Sequence, residues 1–364
     1  MDKRRTRTRP VTVSDVARTA QVSKATAARA LGGYGSVSAD ARLRVLEAAR
    51  LLDYRVNELA RTMATGRSGT IGVVVGDIEN PFFGLAVRGI SDCAKAAGFD
   101  VILSNSAEDV AAERAAVEVL TAKGVDGLIV APAAMHEKAH LQDALARGRP
   151  LVLLDREVPG LDVDAVLVDG KAAAKAATRL LIDAGHRRVA YVTAADAPEP
   201  RYNGPSRIAL TTVLGRIEGF LEASAEAGIV GPERHVRLGA KGTAAAQAIL
   251  ADLLTPPGRP TAVLASDSRV ALEVLRAAKS LGLAVPRQLS LVTFDDADWT
   301  GAIDPAVTVV AQPTYRLGFE AARMLIEGIG GARSRPRRCV LEATLIPRES
   351  VAAPEPEGGR PLAC

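Results

Sequence analysis

Apolar runs of strand length, separated by segments of helix length, constrain this chain more than any other feature. From Thr70 the run TIGVVV is unbroken, the mark of a strand buried on both faces. VILSN near 101, GLIVA near 127 and PLVLL near 150 repeat it. A second set follows: AVLVD near 165, RVAYVT near 188, AVLAS near 262 and LSLVTF near 289. Two βαβ series in one chain imply two parallel-sheet subdomains with right-handed crossovers. Such sheets bind ligands at the carboxyl ends of their strands, and two facing each other make a cleft that can close on a small molecule.

The front of the chain follows another pattern. In TVSDVARTAQVSKATAARAL, Thr12 can cap a helix and Asp15 can complete a capping box. Val13, Val16, Ala17 and Ala20 recur at i, i+3, i+4 and i+7, one apolar helix face. Gln21-Val22 breaks the pattern, and Ser23 caps a second helix. Helices this short need a third to close their core, and it follows from Ser38 to about Leu52 with Val45, Ala49 and Leu52 on one stripe. A three-helix unit with a helix-turn-helix at its front is the fitting architecture. The second helix is small-sided except at Lys24 and Arg29, so its backbone can approach base edges and Lys24 can donate to guanine. Arg29 lies roughly 140° round the helix from Lys24, placing the two on different bases or on one phosphate.

Those motifs, followed by VSADARLRVLEAARLLDYRVNELARTMATGRSGTIGVVV and NPFF, closely resemble the lactose-repressor family of bacterial transcription regulators, from about Val11 to Ser350. The resemblance implies a small all-α helix-turn-helix head (1–56), a hinge helix and linker (57–69) and an α/β core (70–350) like a periplasmic binding protein, with two parallel-sheet subdomains. It implies a homodimer on a palindromic operator, with the hinge helix ordered in the DNA minor groove. Met63 stands where the family has a wedging leucine, an apolar side chain that can still serve as a wedge. The expected DNA-binding set is Thr12, Ser23, Lys24, Ala25, Thr26, Arg29, Asn57, Ala60 and Met63. The C-terminal leucine heptads by which some relatives tetramerise are missing, and 351–364, Pro/Gly-rich, reads as a disordered tail.

The strand-end loops carry the candidate ligand chemistry. By resemblance the effector contacts fall on Asn80, Phe82, Arg156, Arg216, Asp267 and Asp295, and Trp299, four residues beyond Asp295, is expected to line the same mouth. Carboxylates and arginine bind hydroxyls while an aromatic face covers C–H groups, which suits a carbohydrate. Asp169 and Asp296 read as caps of the elements that follow them. Ser266 and Gly170 stand where the family usually has asparagine, and the insert PEPRYNGPSRIALTTVLG leaves open which arginine between 201 and 216 reaches the effector.

Composition narrows the class. Residues 1–67 hold 14 Lys+Arg against 6 Asp+Glu, a net of +8, and the rest hold 32 against 36, a net of −4. A basic head on a mildly acidic body points to a polyanion partner at the front only. KRRTRTR reads equally as a nucleic-acid arm or a solvated tail. Three scattered cysteines suit a reducing compartment, and without a secretory leader or an apolar run of about 18 residues the expected location is the cytoplasm. His136-Glu137-Lys138-Ala139-His140 matches the H-E-x-x-H zinc signature, but no third ligand follows, and a solvated outer helix is the expected reading. With no other catalytic motif, no enzyme, metal or cofactor is expected. The rivals are a sugar-binding transport component of the same fold, and a hydrolase resting on HEKAH alone.

Overall fold

The computed structural model describes residues 11–54, 66–331 and 335–355, and its internal contacts divide the chain between Gly69 and Thr70 into two units. Asn57, Ala60 and Met63 lie outside the described residues, as does the whole expected hinge helix.

In the first unit α1 (Val13–Thr19), α2 (Lys24–Gly32) and α3 (Ala39–Leu51) begin where the sequence offers caps. Thr12 donates its hydroxyl to Asp15 at 2.7 Å and its backbone N–H to the same oxygen at 3.0 Å, closing the capping box. Ser23 and Ser38 accept from the N–H groups of Thr26 and Ala41. Val16, Ala17, Ala20, Ala27, Ala30, Val45 and Ala49 form the core, and their small volumes let three short helices approach closely.

In the second unit β1 (Thr70–Val75), β2 (Asp100–Asn105), β3 (Gly127–Val130), β4 (Leu151–Leu154), β5 (Asp164–Val168) and β11 (Arg338–Leu341) form one sheet, ordered β11-β5-β4-β3-β1-β2. The other sheet joins β6 (Val189–Val192), β7 (Val236–Arg237), β8 (Ala262–Ala265), β9 (Ser290–Phe294), β10 (Thr308–Ala311) and β12 (Thr344–Ile346) in the matching order β12-β10-β9-β8-β6-β7. The two subdomains are thus structural repeats of one another. Neighbouring strands run parallel except β10 and β12. The run AVLVD closes the first series instead of opening the second, because Val152, Leu153 and Leu154 pair with Asp164, Ala165 and Val166.

Helices α4 (Pro81–Ala96), α5 (Val110–Ala122), α6 (Ala139–Ala146) and α11 (Thr314–Ile329) cover the first sheet. Helices α7 (Gly170–Asp183), α8 (Thr211–Glu226), α9 (Thr243–Leu254) and α10 (Ser268–Ser280) cover the second. The chain passes between the subdomains three times, from β5 to α7, from β10 to α11 and from β11 to β12. Glycine makes the α4–α11 crossing possible. A Cβ on Gly318 would stand 1.9 Å from the Ala86 carbonyl oxygen, and one on Gly89 2.1 Å from that of Tyr315. Residues 351–355, expected to be disordered, are instead ordered. Ala352 donates its N–H to Ser290 Oγ at 3.1 Å, and Pro354 covers Gly185.

Candidate functional site

Helix α2 presents Ser23, Lys24 and Ala25 to solvent, with Thr26 and Arg29 half-buried. The Ser23 and Thr26 hydroxyls lie 2.8 Å apart, and Arg29 Nε donates to Ala25 O at 3.2 Å, which lays the guanidinium along its own helix. Thr12 is half-buried and committed to its cap. Lys24 is exposed at the amino end of α2.

In the second unit the carboxyl ends of both sheets open onto one cleft of about 680 Å³, within the range of roughly 300–1,000 Å³ usual for small-molecule sites. Asn80, Phe82, Arg156, Arg216, Asp267 and Asp295 all line it. Trp299 does not. It packs against the apolar cluster of Ala271, Val274, Leu289 and Leu291, because the turn after Asp295 carries the indole back onto the core.

The first subdomain contributes an aromatic corner. Asn80 caps α4 by accepting from Phe82 N–H at 3.0 Å, which fixes Phe82 edge-on to Phe83, with ring centroids 5.2 Å apart and planes at 84°. Arg156 lies over Phe83 at 5.7 Å, but its guanidinium is held by Glu108 at 2.5 and 2.8 Å and donates to Pro132 O at 2.9 Å. Glu108 itself follows Ala107 in a turn where both residues take left-handed φ (63° and 52°), a costly backbone that persists where a site over-determines it. The fork predicted to meet the effector therefore meets Glu108 first.

Arg216 is the centre of the opposite wall. It lies in the second turn of α8, not at a helix start, and its guanidinium sits 4.0 Å over the Phe294 ring. It donates to Ser266 O at 2.8 Å and to Gln312 Oε1 at 3.2 Å. Arg201, also in the 201–216 range, turns away to Asp252 at 3.5 Å. Asp267 accepts from the N–H groups of Arg269 and Val270, both at 3.0 Å, and so caps α10 while lining the cleft.

Two aspartates hold corresponding places in the repeat. Asp155 follows β4 and Asp295 follows β9, both at left-handed φ (66° and 71°), one on each wall. Burial pushes both carboxyl groups up, Asp295 to about 6, against the pull of nearby arginines, Arg156 foremost for Asp155 and Arg216 for Asp295. Asp295 accepts from Gln312 Nε2 at 2.6 Å, and Asp155 Oδ1 is buried with no partner. From sequence Asp155 reads as a strand-end carboxylate beside Arg156 but is not among the expected effector contacts, and Gln312 is not singled out at all. The repeat that pairs Asp155 with Asp295 is visible only once the strand order is known, and Gln312 directly follows β10.

Both rims of the cleft are bridged. Arg269 of α10 reaches Asp77 at 2.7 Å and Glu79 at 3.4 Å, while Met135 N–H donates to Ala209 O at 2.7 Å and Glu157 N–H to Thr211 Oγ1 at 3.1 Å. The 198–215 insert thus supplies a wall, with Ile208, Leu210 and Val213 lining the cleft.

The remaining candidates fall elsewhere. Asp169 caps α7 through Ala172 N–H at 2.9 Å, whereas Asp296 pairs with Arg348 at 2.7 Å rather than capping a helix. HEKAH is not one helical face, since α6 begins only at Ala139. His140, expected on a solvated surface, is 6% exposed and lies 2.6 Å from Glu113, whose second oxygen accepts from Ala133 N–H on the cleft wall. Among the described residues no group of three or more His, Cys, Asp or Glu could hold a metal ion. Glu113→Ala orphans two buried donors and is expected to cost about 2–3 kcal/mol in denaturant unfolding. An unchanged midpoint would mean water replaces the carboxylate.

Comparison with known proteins agrees with this geometry. The model of bacterial regulatory proteins of the lacI family matches residues 12–57, and that of the periplasmic binding protein-like domain matches 178–351. The chain is 33% identical to the HTH-type transcriptional regulator GalS of Salmonella typhimurium over 342 residues, 94% of this chain and 97% of that protein. The structure of the transcriptional regulator CelR–cellobiose complex is 29% identical with a TM-score of 0.68, covering 94% of this chain and 100% of that one. A LacI family transcriptional regulator from Enterococcus faecium with bound ribose is 30% identical with a TM-score of 0.65, covering 78% of this chain and 99% of its own. On its capped helix-turn-helix, its paired parallel sheets and this end-to-end likeness, the chain belongs to the lacI family of bacterial regulatory proteins.

Proposed function

We propose that the protein is a cytoplasmic transcription regulator that binds a palindromic operator as a homodimer and changes its affinity when a sugar enters the cleft. The observation that carries the effector class is the cleft lining, which joins an aromatic corner to carboxylates from both walls around one desolvated arginine. Carboxylates accept from hydroxyls, and a ring face covers the apolar side of a pyranose or furanose. The cellobiose and ribose held by two related regulators support the same class. Because Arg156 is already matched by Glu108, the reading favours an uncharged sugar over a sugar acid.

A transport component of the same fold would need the cleft and not the head. The two are separated by gel shift with the DNA upstream of the coding region, and by thermal shift across a panel of neutral sugars, since a ligand of the native state raises the midpoint. Retarded DNA and a sugar that alters the retardation are expected; sugar binding without retardation would favour the transport reading. Lys24→Ala is expected to relax base preference at one position of each half-site, by about 1–3 kcal/mol. Footprints with unchanged sequence preference would reduce Lys24 to a phosphate contact.

A further inference from the structure

The two arginines set deepest in the cleft wall are held in different ways. Arg216 donates to uncharged acceptors, Ser266 O and Gln312 Oε1. Arg156 turns the open edge of its guanidinium to Glu108, with Nη1 at 2.5 Å from one carboxylate oxygen and Nη2 at 2.8 Å from the other. That two-pronged contact is the geometry in which an arginine receives the carboxylate of a ligand. Asp155 is no substitute, since it stands 3.7 Å from Arg156 Nε, beyond hydrogen-bond reach. The Arg156 and Glu108 side chains are 8% and 22% exposed, so the carboxylate is the more open of the two to the cleft that both line.

The chain is built to bring Glu108 there. Its N–H donates to Gly76 O at 2.9 Å, which ties the turn after β2 to the end of β1. Asp109 N–H donates to Ser106 O at 2.9 Å, and Asp109 then caps α5 through Ala112 N–H at 2.7 Å. Gly76 leaves the space, for a Cβ there would stand 2.2 Å from Glu108 Oε1. The left-handed backbone at 107 and 108 is a cost that a plain connection would not carry. In the other half of the repeat the place after the aspartate is taken by Asp296, which pairs with Arg348. Burial works against the Arg156 charge and Glu108 outweighs it, holding the guanidinium above its ordinary range. Eight Asp and Glu against four Lys and Arg line the cleft, so an anion is disfavoured there unless it can claim an arginine fork for itself.

We propose that Glu108 is a specificity-determining residue, a carboxylate of the protein's own that fills the anion seat on Arg156 and so restricts the cleft to uncharged ligands. The inference rests on the sugar reading of the cleft and deepens it, by naming the residue that separates a sugar from its uronic acid. Two of the roughly four lone-pair sites of a carboxylate go to Arg156, and the others can accept from a sugar hydroxyl. Glu108 thereby excludes an acid and serves a neutral ligand with the same two oxygens.

The test is chemical rescue of Glu108→Ala, which empties the seat, beside Glu108→Gln, which fills it with an uncharged amide. At constant ionic strength Glu108→Ala is expected to unfold at a lower midpoint than the wild type in sodium chloride, and to recover part of the loss in sodium acetate, because a ligand of the native state raises the midpoint. The wild type, Glu108→Gln and the double variant Glu108→Ala with Arg156→Gln are each expected to have equal midpoints in the two salts. Calorimetry with glucose against glucuronate, and galactose against galacturonate, reads the specificity. The preference for the neutral partner is expected to fall about tenfold or more in Glu108→Ala, the worth of one charge-assisted hydrogen bond, and less in Glu108→Gln. If Glu108→Ala does not fold in chloride, refolding in acetate alone reads the same seat. Equal midpoints of Glu108→Ala in acetate and chloride, rescue that survives Arg156→Gln, or tighter binding of a uronate than of its neutral sugar by the wild type would each overturn the proposal. Acetate rescue with neither sugar nor uronate bound by wild type or variant would uphold the seat on Arg156 and sink the sugar reading instead.

Discussion

Arg216→Ala is expected to lower the affinity for the effector sugar by about 30- to 3,000-fold while leaving operator binding without effector unchanged. The range follows from about 2–5 kcal/mol for truncating one partner in a desolvated charged network, at 1.4 kcal/mol per tenfold. Arg216 is 9% exposed, stacks over Phe294 and tempers the charge of both Asp155 and Asp295. Without it two carboxylates are left desolvated on opposite walls. A loss under threefold by calorimetry would remove Arg216 from the site. A pH dependence accompanies it. Asp295 has a folded pKa of about 6, above its ordinary 3.8, so folding favours its protonated form. The stabilisation is full below 3.8 and is lost as pH rises through 6. The empty protein therefore gains stability as pH falls from 7 to 5. Sugar affinity runs the opposite way, because protonation removes an acceptor. Asp295→Asn should flatten both slopes.

Gly318→Ala is expected to destabilise the second unit by about 3 kcal/mol or more, at or beyond the usual 1–3 kcal/mol for overpacking. The new methyl would meet the Ala86 carbonyl at 1.9 Å, and backbone cannot rotate aside as a side chain can. Helices α4 and α11 must separate, disturbing Leu317, Ala321 and Leu325 against Ile90 and Ile129. Gly84→Ala, where a Cβ has nothing within 4 Å, is the matched control on α4. Equal unfolding midpoints for the two variants would show that the crossing yields easily.

What was legible in the sequence was what short spacing decides. The caps at Thr12 and Ser23 are local hydrogen bonds, and the structure has both. Buried strands such as TIGVVV declare themselves by composition alone. Sheet membership is non-local, and so local pattern puts 164–168 in the second series while the strand pairs with β4 of the first. Trp299 packs on the core and not the cleft for a related reason, since proximity to Asp295 in sequence says nothing about which way a turn carries the indole. His140 and Glu113 stand 27 positions apart, a distance at which no pattern links a histidine to its partner. Six expected effector residues do share one cleft, yet the reach of Arg156 is decided by Glu108, in a turn whose left-handed backbone nothing in its residue types announces.

The three passages between the subdomains lie along one edge, where β11 and β12 are the outermost strands and Asp169 N–H donates to Leu341 O at 3.0 Å. Bound along that side like the leaves of a book, the halves have a covalent spine and an opposite margin joined by side-chain contacts such as Arg269 to Asp77. They cannot slide past each other without stretching three covalent tethers, so the low-energy motion is a swing about the spine. Small displacements at the cleft become larger ones at the outer margin. A sugar needs only to tilt one leaf by a few degrees to report its presence at the far edge of the molecule, with both sheets unaltered in themselves.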